Sequence, residues 1–261
     1  MSYTTILYEK QSSVLTITLN RPEKYNAVNR TLAQELQQAM QQAEQDSEVR
    51  VVVVTGAGKA FCSGHDLSAP ENLEPEYTPS KAVYQNYFPL IPLMRNMPKP
   101  IICRLNGIAA GAGCSLALAC DMIIADENAE LSQIFINIGL VQDAGSAYFL
   151  PQLVSRNQAF ELATMGTRLK AKEAERLGIV NKAVPTEQLD ETLKKYTEYY
   201  ANAPTKAIGM LKKLLNHSYH SNLMQMLELE ATYQDLASKT QDHTEGVTAF
   251  LQKRKPVFKG R

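Results

Sequence analysis

An α/β layered fold with a helical C-terminal region is predicted by three features of the sequence. The stretch "SVLTITLN" (13–20) alternates apolar and polar residues, as a half-buried strand does. "VRVVVVTG" (49–56) is a continuous β-branched run suited to a strand covered on both faces. From about residue 156 the pattern turns helical, and from Thr186 onward it reads as amphipathic helices with no convincing strand.

Between the two strands, "TLAQELQQAMQQAEQ" (31–45) sets Leu32, Leu36, Ala39, Met40 and Ala43 on one stripe, with Asn29 or Thr31 as the cap. "PIICRLNG" (100–107) and "DMIIAD" (121–126) supply further short strands. Gly166 and Gly178 read as helix stops, and "GIVNKAV" (178–184) is strand-like before Pro185. Residues 70–92 hold five of the twelve prolines together with Tyr77, Tyr84, Tyr87 and Phe88. That composition suits a mobile aromatic surface segment, either a substrate lid or an irregular loop. The length, 261 residues, fits one large domain with an appendage, divided here into a core over 1–200 and a helical region over 201–261.

Charge and cysteine usage exclude several functions. Lys plus Arg and Asp plus Glu number 27 each, so the whole chain offers no general attraction to nucleic acid or to an anionic membrane. The basic "KRKPVFKGR" (253–261) reads as a solvated tail rather than a phosphate clamp, and the chain has no basic bias that would suit nucleic acid. Cys62, Cys103, Cys114 and Cys120 form no CxxC pair and have no histidine at a zinc spacing, so no metal site is expected. The N-terminus carries no basic segment followed by an apolar core, and the longest uncharged run, Leu105 to Cys120, is too short and glycine-rich to span a bilayer. The expectation is a cytoplasmic protein with reduced thiols and no membrane partner.

Two glycine-bearing stretches and one acid carry the chemistry. "GAGKAFCSGHDL" (56–67) follows directly on a buried strand, and "NGIAAGAGCSLALACD" (106–121) runs from a strand end into a small-residue helix whose first turn leaves amides unpaired. Two such amides aimed at one point make an oxyanion hole; close helix packing accounts for the "GAG" as well. In "LSQIFINIGLVQDAGSAYFLP" (131–151) the only side chain charged at neutral pH is Asp143, which either decorates a turn or carries protons in an apolar pocket.

Taken together, "NRPEKYNAV", "AFCSGHDL", "NGIAAGAGCSLALACD" and "IGLVQDAGSAYFLP" come in an order and spacing that resembles the crotonase (enoyl-CoA hydratase/isomerase) superfamily over essentially the whole chain. The nearest resemblance within it, which adds the C-terminal "EGVTAFLQKR", is to the phenylacetate-pathway ring-epoxide isomerase and enoyl-CoA isomerase branch. The resemblance implies a ClpP-like spiral of ββα repeats, a C-terminal helical region used in a homotrimer or dimer of trimers, and an acyl-CoA thioester held by the amides of His65 and Ala112. Lys24, Gly64, Asp66, Gly111, Ser115, Phe135 and Asn137 are placed at the substrate, with Lys24 near the nucleotide phosphates. Coenzyme A is then part of the substrate, and no separate cofactor is expected.

Hydratases of the superfamily use two glutamates, and at the matching positions this chain has Ser115 and Phe135. Hydration needs one group to activate water and another to manage the α-proton, so their replacement points to an isomerase with Asp143 as single base. The reaction is either a Δ3 to Δ2 double-bond shift or rearrangement of a ring-epoxide thioester. Apolar Phe135, Ile136, Ile138 and Val141 are expected to raise the Asp143 pKa. An atypical hydratase and a CoA-thioester-binding paralogue without activity are the alternatives. Ser115 could also be read as a protease-like nucleophile, but His217, His220 and His243 lie in the helical tail and His65 is expected to present its backbone, so no Ser/His/Asp set assembles. Ser115 is instead expected to line the site. The His65 imidazole reads as packed or solvent-facing, and Asn137 as a positioner of a polar acyl group or a polar residue at a strand end.

Overall fold

The computed structural model describes residues 3–261. The chain opens with an antiparallel hairpin, β1 (Ile6–Gln11) and β2 (Val14–Leu19), followed by α1 (Arg30–Gln45) and β3 (Val51–Gly56), which lies parallel to β2. Asn29 is the cap of α1, its side chain accepting from the Leu32 amide. The predicted stripe is the buried one, with Leu32, Leu36, Ala39, Met40 and Ala43 all inside.

From β3 onward a unit repeats: one strand enters a large sheet, the next enters a small one, and helix follows. β3 and β4 (Ala60–Cys62) lead to α2 (Pro79–Ala82) and α3 (Leu90–Asn96). β5 (Ile101–Leu105) and β6 (Ile108–Ala110) lead to α4 (Ala112–Ala119). β7 (Met122–Asp126) and β8 (Glu130–Ser132) lead to α5 (Ser146–Leu153) and α6 (Arg156–Met165). The unit closes with β9 (Arg168–Lys170), α7 (Ala171–Arg176) and β10 (Lys182–Val184). The large sheet runs β1-β2-β3-β5-β7-β10, parallel after the first hairpin, and the small one β4-β6-β8-β9. This is the expected spiral of ββα repeats.

The unbroken valine run of β3 has a clear cause. Val52 and Val54 join the main core, whereas Val51 packs with Ile102, Ile124 and Leu189 under α8 (Leu189–Asn202) on the other face. Burial on both faces removes the alternation that marks a half-exposed strand. Each such valine contributes about 1.5–3 kcal/mol relative to exposure.

After α8 come α9 (Thr205–Ser218), α10 (Leu223–Ser238) and α11 (Gln241–Leu251), as the tail's helical pattern predicts. A buried lysine docks α9: Lys212 Nζ donates to the Met94 carbonyl at 2.8 Å and to Asp121 Oδ2 at 2.7 Å. Burial pulls the Lys212 pKa down while the Asp121 carboxylate pulls it up, leaving it below the ordinary lysine value. By contrast α10 buries no residue of its own. No helix among the described residues is long and apolar enough to cross a membrane, and the four cysteines are buried and free.

Two expectations change. Residues 70–92 are largely helical: a 3-10 turn over Pro70–Leu73 and α2 precede a π-helical turn over Val83–Tyr87, and α3 begins at Leu90. Tyr87 and Asn86 are buried while Tyr84 and Phe88 are exposed, so the segment is half core and half surface. Asn137 lies not at a strand end but in a 3-10 turn, Ile134–Ile138.

Candidate active site

Two backbone turns face each other across the ends of β4 and β6. The turn that leads into β4 is fastened by the buried Asn26 of "NRPEKYNAV". Its Nδ2 donates to the carbonyls of Ala57 at 2.9 Å and Ala60 at 2.8 Å, and its Oδ1 accepts from the Arg21 amide at 2.9 Å. Gly64 sits at φ +102°, and a Cβ there would lie 2.9 Å from the Ala110 carbonyl oxygen and 3.4 Å from the Ala112 nitrogen. Only glycine tolerates that conformation and that approach. Opposite, the Gly111 amide donates to Ser132 O at 2.9 Å, and α4 starts at Ala112. Gly113 packs so tightly on β4 that a Cβ would meet the Cys62 carbonyl at 2.1 Å, which explains the "GAG" through helix packing. Neither the His65 nor the Ala112 amide donates to another group among the described residues.

Both turns open into a cavity of about 360 Å³. Gly64, His65, Gly111, Ala112, Phe135, Asn137 and Asp143 from the sequence-derived set are all on its wall. Asp143 is at once a turn residue and a wall residue. Its carbonyl accepts from the Ser146 amide at 3.0 Å across Ala144 (φ +49°) and Gly145 (φ +85°), a left-handed pair like that of a type I′ turn. The carboxylate does not cap α5, and Oδ1 is buried with no hydrogen-bond partner. Burial raises its pKa to about 6, opposed by the nearby His65 imidazole.

The desolvating residues are only partly those expected. Phe135 and Ile138 line the cavity, but Ile136 is half-exposed and Val141 is almost fully exposed. In a 3-10 turn positions i and i+3 eclipse, which puts the pairs Phe135/Ile138 and Ile134/Asn137 on the cavity wall; of these Phe135 is buried, whereas Ile138 is at the rim and itself half-exposed.

Two further placements, those of Ser115 and Asp66, differ from the sequence reading. Ser115 does not line the cavity: it is fully buried in α4, and its hydroxyl donates to the Asp143 carbonyl at 3.0 Å and approaches the Gly111 carbonyl at 3.3 Å. Its short side chain points along the helix into the turn, bracing Asp143 from behind. Asp66 is taken up by the protein itself. Oδ2 pairs with Arg21 Nη2 at 2.9 Å, while Oδ1 accepts from the Ser68 amide at 3.0 Å and the Ser68 hydroxyl at 2.7 Å. Burial raises its pKa, but the Ser68 and Arg21 hydrogen bonds outweigh it and hold the group low. Lys24 is exposed outside the wall, with Nζ 3.5 Å from Ser68 Oγ and its carbonyl accepting from Ser63, which does line the cavity.

The sequence reading passed over Asn72 and did not separate Tyr77 and Tyr87 from the other aromatics of their segment. All three line the cavity. Asn72 Nδ2 donates to the Asp66 carbonyl at 2.8 Å, and its Oδ1 lies 3.2 Å from His65 Nε2; the Tyr77 hydroxyl lies 3.3 Å from the same nitrogen. The imidazole, expected to be packed or solvent-facing, is thus held on the cavity wall.

The enoyl-CoA hydratase/isomerase family model matches residues 9–261. The chain belongs to that family. It is 38% identical to the 1,2-epoxyphenylacetyl-CoA isomerase of Escherichia coli K12 over 98% of each chain, and 34% identical to the crotonyl-CoA hydratase of Syntrophomonas wolfei over 99% of each. The crystal structure of an enoyl-CoA hydratase from Bacillus anthracis superimposes with a TM-score of 0.91 at 32% identity, covering 99% of this chain and all of that one. Relatives of this family member therefore include both isomerases and hydratases.

Proposed function

We propose that the chain is an isomerase of unsaturated or ring-epoxide acyl-CoA thioesters in which Asp143 carries a single proton. The observation behind this reading is the cavity's acid inventory: Asp143 is the only carboxylate on its wall among the described residues. The thioester carbonyl accepts from the unpaired amides of His65 and Ala112, which stabilise the enolate that forms as the proton leaves. For a 3-enoyl thioester, Asp143 removes a proton from C2, the electron pair moves through the enolate into the C2–C3 bond, and the same carboxyl returns the proton at C4. No atom is gained or lost. A pKa near 6 suits both halves, since a base close to ambient pH takes and returns a proton with little bias.

Coenzyme A arrives as part of the substrate, with Lys24 at its phosphates, and the cycle needs no other cofactor. The active form is a homotrimer or dimer of trimers, in keeping with the apolar residues that α10 leaves exposed, among them Leu223, Met224 and Leu227.

The test uses a trans-3-enoyl-CoA and separately a trans-2-enoyl-CoA in deuterated water, with mass spectrometry reading product and label. Conversion of the 3-enoyl to the 2-enoyl thioester, lost in Asp143→Asn, is the expected result. Hydration is favoured by one observation, that His65 Nδ1 is buried without a partner on the same wall and could serve water as a second base. Addition of water to the 2-enoyl thioester with Asp143 dispensable would replace the isomerase reading with that one.

A further inference from the structure

Five buried side-chain polar atoms lack a hydrogen-bond partner among the described residues. Three of them, His65 Nδ1, Asp143 Oδ1 and the Tyr87 hydroxyl, belong to side chains on the wall of one cavity; the others are on Tyr8 and Ser146. The isomerase reading gives the Asp143 oxygen a task and gives the Tyr87 hydroxyl none.

The Tyr87 ring is 2% exposed and packs in the main core, a place phenylalanine would fill equally well. Its hydroxyl is therefore surplus to packing, and a buried polar group left unmade destabilises the fold. Backbone geometry brings the Tyr87 side chain to the cavity wall. Ala82 and Tyr87 both line the wall, although five residues of regular α-helix would set them about 140° apart. The intervening π-helical turn, Val83–Tyr87, is wider and brings positions i and i+5 toward one face. Burial first, and then the Asp143 charge, keep the phenol protonated, so it is available as a donor.

The nearby histidine complements it. Because Asn72 Nδ2 is committed to the Asp66 carbonyl, Asn72 Oδ1 faces His65 Nε2, which must carry the ring hydrogen to bond it. Nδ1 of the neutral ring is then an acceptor. Besides the base, the side chains on the wall thus carry one buried unpaired donor and one buried unpaired acceptor, more polar capacity than a hydrocarbon acyl chain can use.

We propose that Tyr87 determines the acyl specificity of this site by donating a hydrogen bond to an oxygen on the acyl group beyond the thioester carbonyl, so that the preferred substrates are oxygen-bearing thioesters. The proposal takes only the ligand class, an acyl-CoA, from the reading above. Binding is measured by calorimetry with phenylacetyl-CoA and its 2-, 3- and 4-hydroxy derivatives, none of which has a double bond to shift along a chain. At least one hydroxylated thioester binds wild-type protein about tenfold more tightly than phenylacetyl-CoA, the size expected for satisfying a buried hydroxyl. Tyr87→Phe keeps its affinity for phenylacetyl-CoA and loses that advantage, while Tyr84→Phe, altered on the exposed side of the same segment, retains it.

Equal binding of all four thioesters to wild-type protein overturns the proposal, a result that stands even if Tyr87→Phe does not fold. An advantage that survives Tyr87→Phe also overturns it, and failure to bind any of the four removes the ligand class on which it rests. The deuterium experiment is independent: failure to convert the 3-enoyl to the 2-enoyl thioester sinks the isomerase reading and leaves the hydroxyl preference as measured.

Discussion

The two walls of the cavity are built by different means. One is backbone, the turns at 63–65 and 110–112, held by the main-chain approach of Gly64 to Ala110 and of Gly113 to Cys62. The other is side chain, contributed by Asn72, Tyr77 and Tyr87 on one segment and by Phe135, Ile138 and Asp143 on another. The first wall accepts almost no substitution, because its neighbours are carbonyl groups that cannot step aside. The second can be re-specified residue by residue. On the proposed function, the part common to any thioester falls to the rigid wall, and what is done to the acyl group falls to the adaptable one.

The sharpest way to break this contrast is Asp143→Asn, which removes the base and leaves both walls standing. Turnover of a 3-enoyl thioester is expected to fall about 10³-fold or more, within the range for loss of a positioned base, with an unchanged circular dichroism spectrum. Gly64→Ala attacks the other wall and is expected to lower kcat about 10²-fold, as displacement of an oxyanion donor does. Binding should weaken less than turnover, which a comparison of kcat with the thioester's Kd checks.

Asp143 also divides stability from activity. Its pKa is about 6 in the folded chain against an ordinary value of 3.8, so the unfolded chain releases this proton first as pH rises. Between those values folding loses stability, and above 6 the loss is complete. Asp143→Asn is thus expected to stabilise the protein at pH 8 by about 1–3 kcal/mol in urea unfolding, with the gain shrinking toward zero as pH falls to 4. The same titration makes wild-type kcat/KM fall tenfold per pH unit below about 6, since the base must be ionised to act. Ser115→Ala is the mildest change: losing one of the two donors to the Asp143 carbonyl is expected to cost about 1 kcal/mol, a several-fold drop in kcat that leaves Kd unaltered.

The contrast between walls also accounts for what could be read from the sequence. The stripe of α1 and the valines of β3 are legible because burial imposes a period, or erases one, over many residues. The backbone wall is legible because steric limits force glycine at fixed places, and the spacing of "CSGHDL" and "AAGAG" carries the family resemblance. The side-chain wall is set by the pitch of short helical turns, which composition does not encode. Phe135 shares the wall with Ile138 where residues 134–138 wind as 3-10, and Tyr87 shares it with Ala82 where residues 83–87 wind as π. Asp66 and Ser115 were misjudged for a related reason: a polar residue beside a site looks the same in sequence whether it faces a ligand or serves the fold.

The serine that braces Asp143 bears on how such an enzyme could change its trade. The resemblance puts Ser115 at a position where hydratases carry a glutamate, and here that side chain is sealed in the interior with its hydroxyl donating to the backbone carbonyl of Asp143. A glutamate installed there must push into the cavity and, in the same step, release the turn that carries Asp143. On the isomerase reading, Ser115→Glu alone would therefore unsettle the proposed base before a second acid stood beside it.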